Sequence, residues 1–174
     1  MVRIRRAKIE DSPGLARVQV DSYRASYAGL LPQSYLEHFS YAEQEQDWRD
    51  LLSIEPTDDI LLVAETRSGE ILGYALGKPG PTSIAPYDSE LVALHVRRAR
   101  QRLGLGRRLV TAMAAQLQQR GCTALLVWVL EMNPARAFYE RLGGQLAGQK
   151  ETRLGEDVTA IEVAFGWPDI KSLA

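Results

Sequence analysis

The sequence predicts a single α/β domain, in the α+β sense, built on a mixed and mostly antiparallel sheet of about seven strands. Three observations predict this fold class. The chain has 174 residues, the length of one ordinary domain. Apolar residues make up 45 % and charged residues 25 %, which is typical of a folded protein with a real core. Finally, a strand, a helical block and a run of strands come first, and strand-like and helix-like segments then alternate.

Composition also bears on the partners, the metal content and the location to be expected of the protein. The 21 basic and 22 acidic side chains give a net charge of −1, whereas nucleic-acid and membrane-surface proteins usually carry a large positive excess. We therefore expect neither partner. Cys122 is the one cysteine, and with His38 and His95 it does not make a credible metal site, so no metal is expected. The first residues lack the apolar run of a signal peptide, which favours a cytoplasmic protein.

The N-terminal third predicts one strand followed by helices. Residues 2–6 alternate apolar and basic side chains, as a half-buried strand does. Asp11-Ser12-Pro13 is typical of a helix start with proline in the first turn, and Gly29 and Pro32 end that helix. A second helical block is predicted over residues 33–53, in two pieces with a joint near Ser40.

Two hairpins are predicted on either side of a central segment. Residues 60–64 and 71–76 are short apolar strands with Ser68-Gly69 between them. The proline-rich stretch that follows, residues 78–86, is a loop within the domain. Near the C-terminus, residues 145–152 and 158–165 predict two more strands, joined by a turn at Leu154-Gly155-Glu156.

The central segment predicts a strand–helix–strand unit. Residues 90–96 form an apolar strand that enters a basic loop, and a helix begins at the loop's end. Its apolar stripe is Leu105, Leu109, Met113 and Leu117, and Gly121 ends it. Residues 125–130 are nearly all apolar, as in a strand buried on both faces. The two strands should be parallel with a right-handed crossover.

The loop between this strand and helix predicts a phosphate site. A phosphate needs several backbone N–H groups that point into one concavity, and side chains there would obstruct it. Gly104 and Gly106 clear the approach, and the helix N-terminus adds partial positive charge. Arg102 with Arg107 or Arg108 can add full charges. The predicted ligand carries a pyrophosphate.

Other interpretations of the loop fit less well. A Rossmann fingerprint lacks its third glycine, because Leu109 stands there, and Glu131 comes too late to bind a ribose. A P-loop requires Gly-Lys-Ser/Thr, which is missing. A plain helix start with solvated arginines would be the favoured interpretation of an isolated Gly-x-Gly.

Two spaced motifs resemble the GNAT superfamily of N-acetyltransferases. Gln101-Arg102-Leu103-Gly104-Leu105-Gly106 matches that family's Q/R-x-x-G-x-G/A loop, and residues 133–144 resemble its N-x-x-A-x-x-F/Y-Y-x-x-x-G-F segment. Gly144 replaces the final aromatic, which predicts looser packing at the next strand. Residues 4–11 and 27–32 are also similar to the family's substrate-side first third, so the resemblance covers nearly the whole chain.

The resemblance implies a fold, a co-substrate and its binding residues. Helices should cover both faces of the sheet, its parallel central pair should splay apart, and the family often forms homodimers. Acetyl-CoA is the implied co-substrate, with the Val96 N–H as donor to the thioester carbonyl oxygen. The implied cofactor-binding residues are Leu94, His95, Val96, Gln101, Arg102, Leu103, Gly104, Leu105, Gly106, Arg107, Asn133 and Arg136.

Two catalytic residues are expected. Glu90 coincides with the general-base glutamate of histone-type members, acting directly or through water, although a strand-start carboxylate facing solvent is an equal alternative. Tyr139 lies on a short helix that Asn133 and Pro134 should start and Gly143 should end. Its phenol can protonate a departing thiolate, and Phe138 beside it suits the alternative role of packing the helix.

Further candidates carry weaker expectations. Tyr23 and Tyr27, four residues apart, either face the acceptor cleft or pack at the edge of the core. His95 and Trp128 are interpreted as a satisfied strand residue and a core residue, and Cys122 is not expected to be a nucleophile. By family topology, the turn at residues 153–157 lies beside the acceptor site.

Three functional hypotheses follow. The leading one is transfer of an acetyl group from acetyl-CoA to a primary amine, by direct attack in a ternary complex. The second is a catalytically silent acyl-CoA-binding regulatory module. The third takes the six arginines of residues 97–108 as a nucleic-acid-binding patch, which the net charge disfavours. The acceptor stays open between peptide N-termini, lysines, polyamines, aminoglycosides and small amino compounds.

Overall fold

A computed structural model describes residues 1–29, 31–154 and 158–174, without the side chain of Tyr35. Its strands are β1 (Val2–Arg6), β2 (Ile60–Thr66), β3 (Ile71–Pro79), β4 (Ser89–Val96), β5 (Leu125–Leu130), β6 (Gln145–Arg153) and β7 (Thr159–Trp167). Its α-helices are α1 (Ser12–Tyr27), α2 (Gln33–Glu37), α3 (Tyr41–Ser53), α4 (Leu105–Gln119) and α5 (Arg136–Arg141). Short 3₁₀ turns at Ile9–Asp11, Arg98–Arg100 and Ile170–Leu173 were not predicted from the sequence.

The strands form one seven-stranded sheet in the order β1-β2-β3-β4-β5-β7-β6. β4 and β5 are parallel, with Glu90 opposite Leu126 and Leu91 opposite Val127. β1 pairs with β2, β5 with β7 and β6 with β7, all antiparallel. The predicted mixed sheet with a parallel central pair is therefore confirmed.

Contacts group the chain into two compact units. The first unit is Met1–Leu76 with Ala93–Met113, and the second unit is Gly77–Val92 with Ala114–Ala174. Nothing in this grouping tests the predicted single domain, which stays a prediction.

The core of the first unit lies between α1, α3 and the strands β2 and β3. Leu15 and Val18 of α1 pack with Trp48 of α3 and Tyr74 of β3, and apolar burial of this kind is the main stabilising contribution. The predicted joint near Ser40 is observed, because its side chain accepts a hydrogen bond from the Glu43 N–H and caps α3.

A charge network ties β1 to β2 and to the start of α1. The Arg5 guanidinium donates to both carboxylate oxygens of Asp11 (2.7 and 2.9 Å) and to Glu65 (2.7 Å), and Arg3 also donates to Glu65 (2.7 Å). Asp11, predicted as part of the helix start, uses its carboxylate for Arg5 and the Lys8 N–H, and makes no cap hydrogen bond to α1.

The second unit has a core beneath the loop that precedes β4. Tyr87, Ala124, Leu126 and Ala164 form its buried cluster. Trp128, expected in the core, is half-buried at the edge of this cluster, and the Lys150 ammonium lies 4.1 Å from its ring centroid. Trp128 is therefore not a fully buried core residue, because one face of its ring makes a cation–π contact with Lys150.

The predicted C-terminal turn lies partly outside the described residues, since Gly155, Glu156 and Asp157 are not among them; Leu30 of the 27–32 motif is also outside. No helix in the described ranges is long and apolar enough to cross a membrane. Among the same residues, no group of three or more His, Cys, Asp or Glu side chains is placed to hold a metal ion.

Candidate functional site

The last residue of β4, Val96, directs its backbone N–H away from β3. The Arg97 N–H donates to the carbonyl oxygen of Leu72 in β3 (2.9 Å), and successive residues of an antiparallel strand point their N–H groups to opposite edges. The Val96 carbonyl oxygen accepts from Nε2 of Gln101 (3.0 Å) and from Oγ of Ser22 (3.3 Å). Side chains thus hold the strand end while its last N–H faces away from the β3 ladder.

The backbones of β3 and β4 approach closely at this point. A Cβ atom at Gly73 would lie 2.7 Å from the carbonyl oxygen of His95 and 3.2 Å from Cγ2 of Val96. Any side chain at position 73 would therefore displace the end of β4. The His95 ring packs beside that of Tyr74, with centroids 5.3 Å apart, and desolvation by the surrounding protein lowers the pKa of His95 to about 4. His95 is thus neutral at pH 7.

The loop from Gln101 to Gly104 has an unusual backbone. Arg102 has φ +61° and Gly104 has φ +79°, and α4 begins at the next residue, Leu105. Left-handed residues within a short loop let neighbouring N–H groups converge on one point. A Cβ atom at Gly104 would meet nothing within 4 Å. The glycine is thus required by the left-handed conformation rather than by close contact.

The structure distinguishes between the arginines of the loop and of the first turn of α4. Arg102 and Arg107 are exposed, and neither side chain forms a hydrogen bond or ion pair within the described ranges. Arg108 instead donates from Nη2 to the carbonyl oxygen of Val2 in β1 (2.9 Å). Of the two alternatives considered for the second charge, Arg107 is the side chain available to a ligand.

A cavity of about 440 Å³ lies where this loop meets the β2–β3 hairpin. Its lining includes Arg67 from the hairpin, Arg100 and Leu103 from the loop, and Arg108 from α4. The flank of the loop that faces the hairpin is therefore positively charged, and it favours anions.

In the second unit, the first half of β4 has one covered face and one open face. Ser89 and Leu91 are buried, whereas Glu90 is half-buried and Val92 is 42 % exposed. Alternate residues of a strand point to opposite faces, and an apolar side chain so exposed is unusual in a central strand that has a parallel neighbour. Glu90 therefore lies on the uncovered face of the sheet.

The start of α5 differs from the prediction. Asn133 was expected to cap the helix and Pro134 to open it, but the helix begins at Arg136 with Ala135 as its N-cap residue. Oδ1 of Asn133 accepts from the Ala135 N–H (2.9 Å), which forms a turn before the helix. Asparagine favours such local turns as strongly as it favours helix caps, and sequence alone does not distinguish the two.

Tyr139 is the fourth residue of α5 and is buried, with 5 % of its surface exposed. Its ring centroid lies 6.3 Å from that of Phe165 and 6.2 Å from that of Trp167, both in β7. Phe138, expected to suit the packing role, is half-buried, and the Tyr139 ring supplies the deeper contact that was considered as its alternative role. The catalytic role of the Tyr139 phenol stays a prediction.

The sequence predicts looser packing at Gly144, but the packing there is tight. A Cβ atom there would lie 2.9 Å from Cζ2 of Trp167 and 3.0 Å from the carbonyl oxygen of Tyr139. Nε1 of Trp167 also donates to the carbonyl oxygen of Leu142 (2.9 Å). The Trp167 indole therefore lies against position 144, where the family has an aromatic residue, and its hydrogen bond to Leu142 stabilises the end of α5.

Arg136, expected to bind the cofactor, is incompletely satisfied. Nη1 donates to the carbonyl oxygen of Glu131 (3.1 Å), whereas the buried Nε has no hydrogen-bond partner among the described residues. Leaving a buried donor unpaired is costly. Binding of the cofactor by Arg136 stays a prediction.

Tyr23 and Tyr27 belong to an aromatic cluster in the first unit. Their ring centroids are 4.5 Å apart, and Phe39 stacks on Tyr23 at 4.5 Å. Tyr27 is buried and Tyr23 half-buried. This is the core-edge packing considered as the alternative to an acceptor site, and it leaves part of the Tyr23 ring accessible.

The predicted residues fall into both units. Leu94 to Val96 and the loop residues 101–107 are in the first unit, and Glu90, Asn133, Arg136 and Tyr139 are in the second unit. Sequence reasoning missed Ser22, because its bond to Val96 joins residues 74 positions apart. It also missed Asp88, whose only local signal is a short polar side chain just before a strand.

Comparison with known proteins gives consistent matches. Residues 80–154 match the family model described as FR47-like protein. The uncharacterized N-acetyltransferase YuaI of Bacillus subtilis (strain 168) is 35 % identical over 175 residues, which are 99 % of this chain and 96 % of YuaI.

Two solved structures share the fold. The PaiA N-acetyltransferase of Thermoplasma acidophilum, in complex with coenzyme A, has a TM-score of 0.72 at 22 % identity and covers 94 % of this chain and 98 % of its own. YncA of Salmonella typhimurium, with its cofactor acetyl-CoA, has a TM-score of 0.67 at 18 % identity, covering 96 % and 93 %.

Proposed function

Because the chain belongs to the GNAT superfamily of N-acetyltransferases, we propose that it transfers the acetyl group of acetyl-CoA to a primary amine by direct attack in a ternary complex. N-acetyltransferase activity follows from membership of the family. The direct mechanism, the amine acceptor and the roles of individual residues are the proposal.

The residues of the first unit fit a pyrophosphate-bearing co-substrate. The loop has left-handed residues at Arg102 and Gly104 directly before a helix N-terminus, and the Arg107 side chain is available to an anion. Arg136, in the second unit, is proposed to bind the cofactor on the family resemblance alone. Acetyl-CoA supplies the acetyl group as an activated thioester, and it or coenzyme A is bound in the two similar structures.

The end of β4 is suited to bind and polarise the acyl group. The peptide groups of Leu94, His95 and Val96 would pair with the pantetheine arm as an added strand does. The Val96 N–H would donate to the carbonyl oxygen of the thioester, where negative charge develops. Removing one such donor in acyl-transfer enzymes costs about 3 kcal/mol of barrier lowering. The anchoring of Val96 by Gln101 and Ser22 holds this donor ready.

Glu90 would act as the general base. An alkyl amine with a pKa near 10 is protonated at pH 7 and must lose a proton before its nitrogen lone pair can attack. The Glu90 carboxylate lies on the uncovered face of β4 beside the exposed Val92. It would take that proton directly or through one water.

Tyr139 would act as the general acid. The new C–N bond forms as the C–S bond breaks, and the phenol gives its proton to the departing sulfur. A phenol with an ordinary pKa of about 10 stays protonated at neutral pH and is able to protonate a thiolate of pKa about 8.5. The proton taken up by Glu90 and the proton lost by Tyr139 are exchanged with solvent before the next cycle.

The end of β4 is the observation that carries the proposal, since its last N–H faces away from β3 while side chains anchor its carbonyl. The test is release of free thiol from acetyl-CoA with a panel of primary amines: a peptide with a free N-terminus, a lysine peptide, spermidine and an aminoglycoside. Thiol release that depends on one amine, with intersecting initial-rate lines, is expected.

Two outcomes would contradict the proposal. Parallel initial-rate lines would indicate an acyl-enzyme rather than a ternary complex. Binding of acetyl-CoA with no thiol release for any amine would favour the silent regulatory module. A cytoplasmic location and a homodimer stay predictions.

A further inference from the structure

Asp88, which directly precedes β4, and the first two residues of β4 contact the first residues of β5 and the two residues before it. The Asp88 carboxylate accepts from Thr123 and Ala124, Oγ of Ser89 donates to the carbonyl oxygen of Ala124 (2.7 Å), and Glu90 stands opposite Leu126 in the parallel ladder. We call the contacts of Asp88 and Ser89 with Thr123 and Ala124 the strand clamp. All of its members lie within the second unit.

The Asp88 carboxylate is saturated with donors. Oδ1 accepts from the backbone N–H groups of Thr123 (3.0 Å) and Ala124 (2.9 Å), and Oδ2 accepts from the N–H and the hydroxyl of Thr123 (both 2.9 Å). Burial alone would raise the pKa of Asp88, but these hydrogen bonds outweigh it and lower the pKa. The Asp88 carboxylate is therefore ionised at neutral pH, and the strand clamp keeps its hydrogen bonds there.

Neighbouring contacts hold both ends of the clamp. The carbonyl oxygen of Asp88 accepts from the Gly80 N–H (2.8 Å), and the Thr123 carbonyl oxygen accepts from the Ile170 N–H (2.8 Å). Just before Asp88, the Tyr87 ring covers Gly166, where a Cβ atom would lie 2.2 Å from the ring. Asp88 thus lies between two segments that are each held by further contacts.

We propose that Asp88 is a positioning residue for acetyl transfer. By fixing the register of β4 against β5, it sets the position of Glu90 along the strand and the face of the sheet on which Glu90 lies. This inference rests on the proposed function, because it assumes that Glu90 is the base. Glu90 is two residues from Asp88 along an extended strand, and the β4–β5 ladder pairs Glu90 and Leu91 directly after the clamp. A slip of one residue would turn Glu90 to the opposite face.

Small errors in the position of a catalytic group are costly. A misplacement of about 1 Å lowers rates by up to about a hundredfold. Asp88 touches neither substrate nor co-substrate in this account, so its loss should lower kcat and spare the affinity for acetyl-CoA. That split distinguishes positioning from a binding role.

The experiment measures kcat and KM with acetyl-CoA and the best amine of the panel. Asp88→Ala should lower kcat about tenfold or more, with KM for acetyl-CoA changed less than about twofold. Asp88→Asn keeps one acceptor oxygen but places an NH2 group against the donors of the other, so it should recover only part of the loss. Thr123→Val removes one hydroxyl donor and preserves shape, so it serves if Asp88→Ala does not fold, with a loss of about threefold.

The control is Ser40→Ala, which removes a side-chain cap on α3 in the first unit. It should lower the melting temperature by a few degrees and leave kcat unchanged. A double-mutant cycle then tests the route of the effect. In a Glu90→Gln background, Asp88→Ala should change kcat by less than about twofold.

The outcomes separate the two proposals. If Glu90→Gln slows the reaction but Asp88→Ala costs the same factor in both backgrounds, the clamp is merely structural and the positioning role is overturned. The same holds if Asp88→Ala lowers only the melting temperature. If Glu90→Gln leaves kcat unchanged, Glu90 is not the base and both proposals about it fail.

Discussion

Nε2 of Gln101 lies 3.0 Å from the carbonyl oxygen of Val96. One amide thereby joins the loop expected to bind pyrophosphate to the strand end expected to polarise the acyl group. Gln101, the first residue of the loop motif, thus bonds to the strand that precedes the loop. This bond holds the loop and the strand end in one arrangement.

Removal of this amide should weaken coenzyme A binding. One neutral hydrogen bond contributes about 0.5–1.5 kcal/mol, so Gln101→Ala should raise the dissociation constant for coenzyme A about two- to tenfold in calorimetry. Gln46→Ala is the control, since Gln46 is an exposed glutamine that bonds Asp50 on α3. Equal affinities of the two variants would show that Gln101 does not organise the loop.

Gly104→Ala tests the left-handed loop residue. The added methyl meets no atom within 4 Å, but at φ +79° it strains the backbone by about 1 kcal/mol. Gly121, just after the other end of α4, has φ +86° and equally open surroundings. Gly104→Ala and Gly121→Ala should lower the melting temperature similarly, and only Gly104→Ala should weaken coenzyme A binding. Retention of full affinity by Gly104→Ala would remove the loop backbone from the site.

Tyr139→Phe separates catalysis from packing. Phenylalanine keeps the ring against Phe165 and Trp167, so the packing of α5 on β7 is retained. Loss of a general acid should lower kcat by about a hundredfold, with coenzyme A affinity unchanged. Tyr41→Phe, which removes an exposed phenol bonded to Asp21, is the control. A wild-type kcat in Tyr139→Phe would leave the phenol with a packing role alone.

Acid sensitivity should depend on Glu65. Hydrogen bonds from Arg5 and Arg3 lower the pKa of Glu65 to about 2 from an ordinary 4.5. A carboxyl with a depressed folded-state pKa stabilises the protein above its unfolded pKa, and that stability is lost as pH falls from about 4.5 towards 2. Glu65→Gln should therefore have a lower melting temperature at pH 7 and a flatter acid slope. Parallel melting curves against pH for the two proteins would refute the assignment.

Restoring the family's aromatic at position 144 should destabilise the chain. The Trp167 ring already fills that space, with Cζ2 2.9 Å from where a Cβ would stand. Overpacking of this kind costs about 1–3 kcal/mol, so Gly144→Phe should lower the melting temperature. A higher melting temperature would mean that the packing is loose after all.

The elements with a strong hydrophobic period were predictable from the sequence. Helix α4 begins at Leu105 as expected, because its stripe from Leu105 to Leu117 recurs every four residues, and β5 over Leu125–Leu130 matches its apolar run. Such signals are local and need no knowledge of distant residues.

Contacts between distant residues were not predictable. The bond from Ser22 to Val96 and the strand clamp of Asp88 join segments far apart in sequence. Phe138 was expected to suit the packing role, but helix orientation decides which of two adjacent rings reaches β7, and the Tyr139 ring does. Asn133 shows the same difficulty, because a turn and a helix cap use the same side-chain chemistry.

The central claim is that the left-handed loop before α4 binds the pyrophosphate of the acyl carrier. Calorimetric titration of coenzyme A and of pantetheine, which lacks the pyrophosphate and the nucleotide joined to it, tests it most directly in the wild-type chain and in Gly104→Ala. The wild-type chain should bind coenzyme A about a hundredfold or more tightly than pantetheine, a difference of about 2.7 kcal/mol, and Gly104→Ala should narrow that ratio. Equal binding of the two ligands, or no heat with coenzyme A, would contradict the claim.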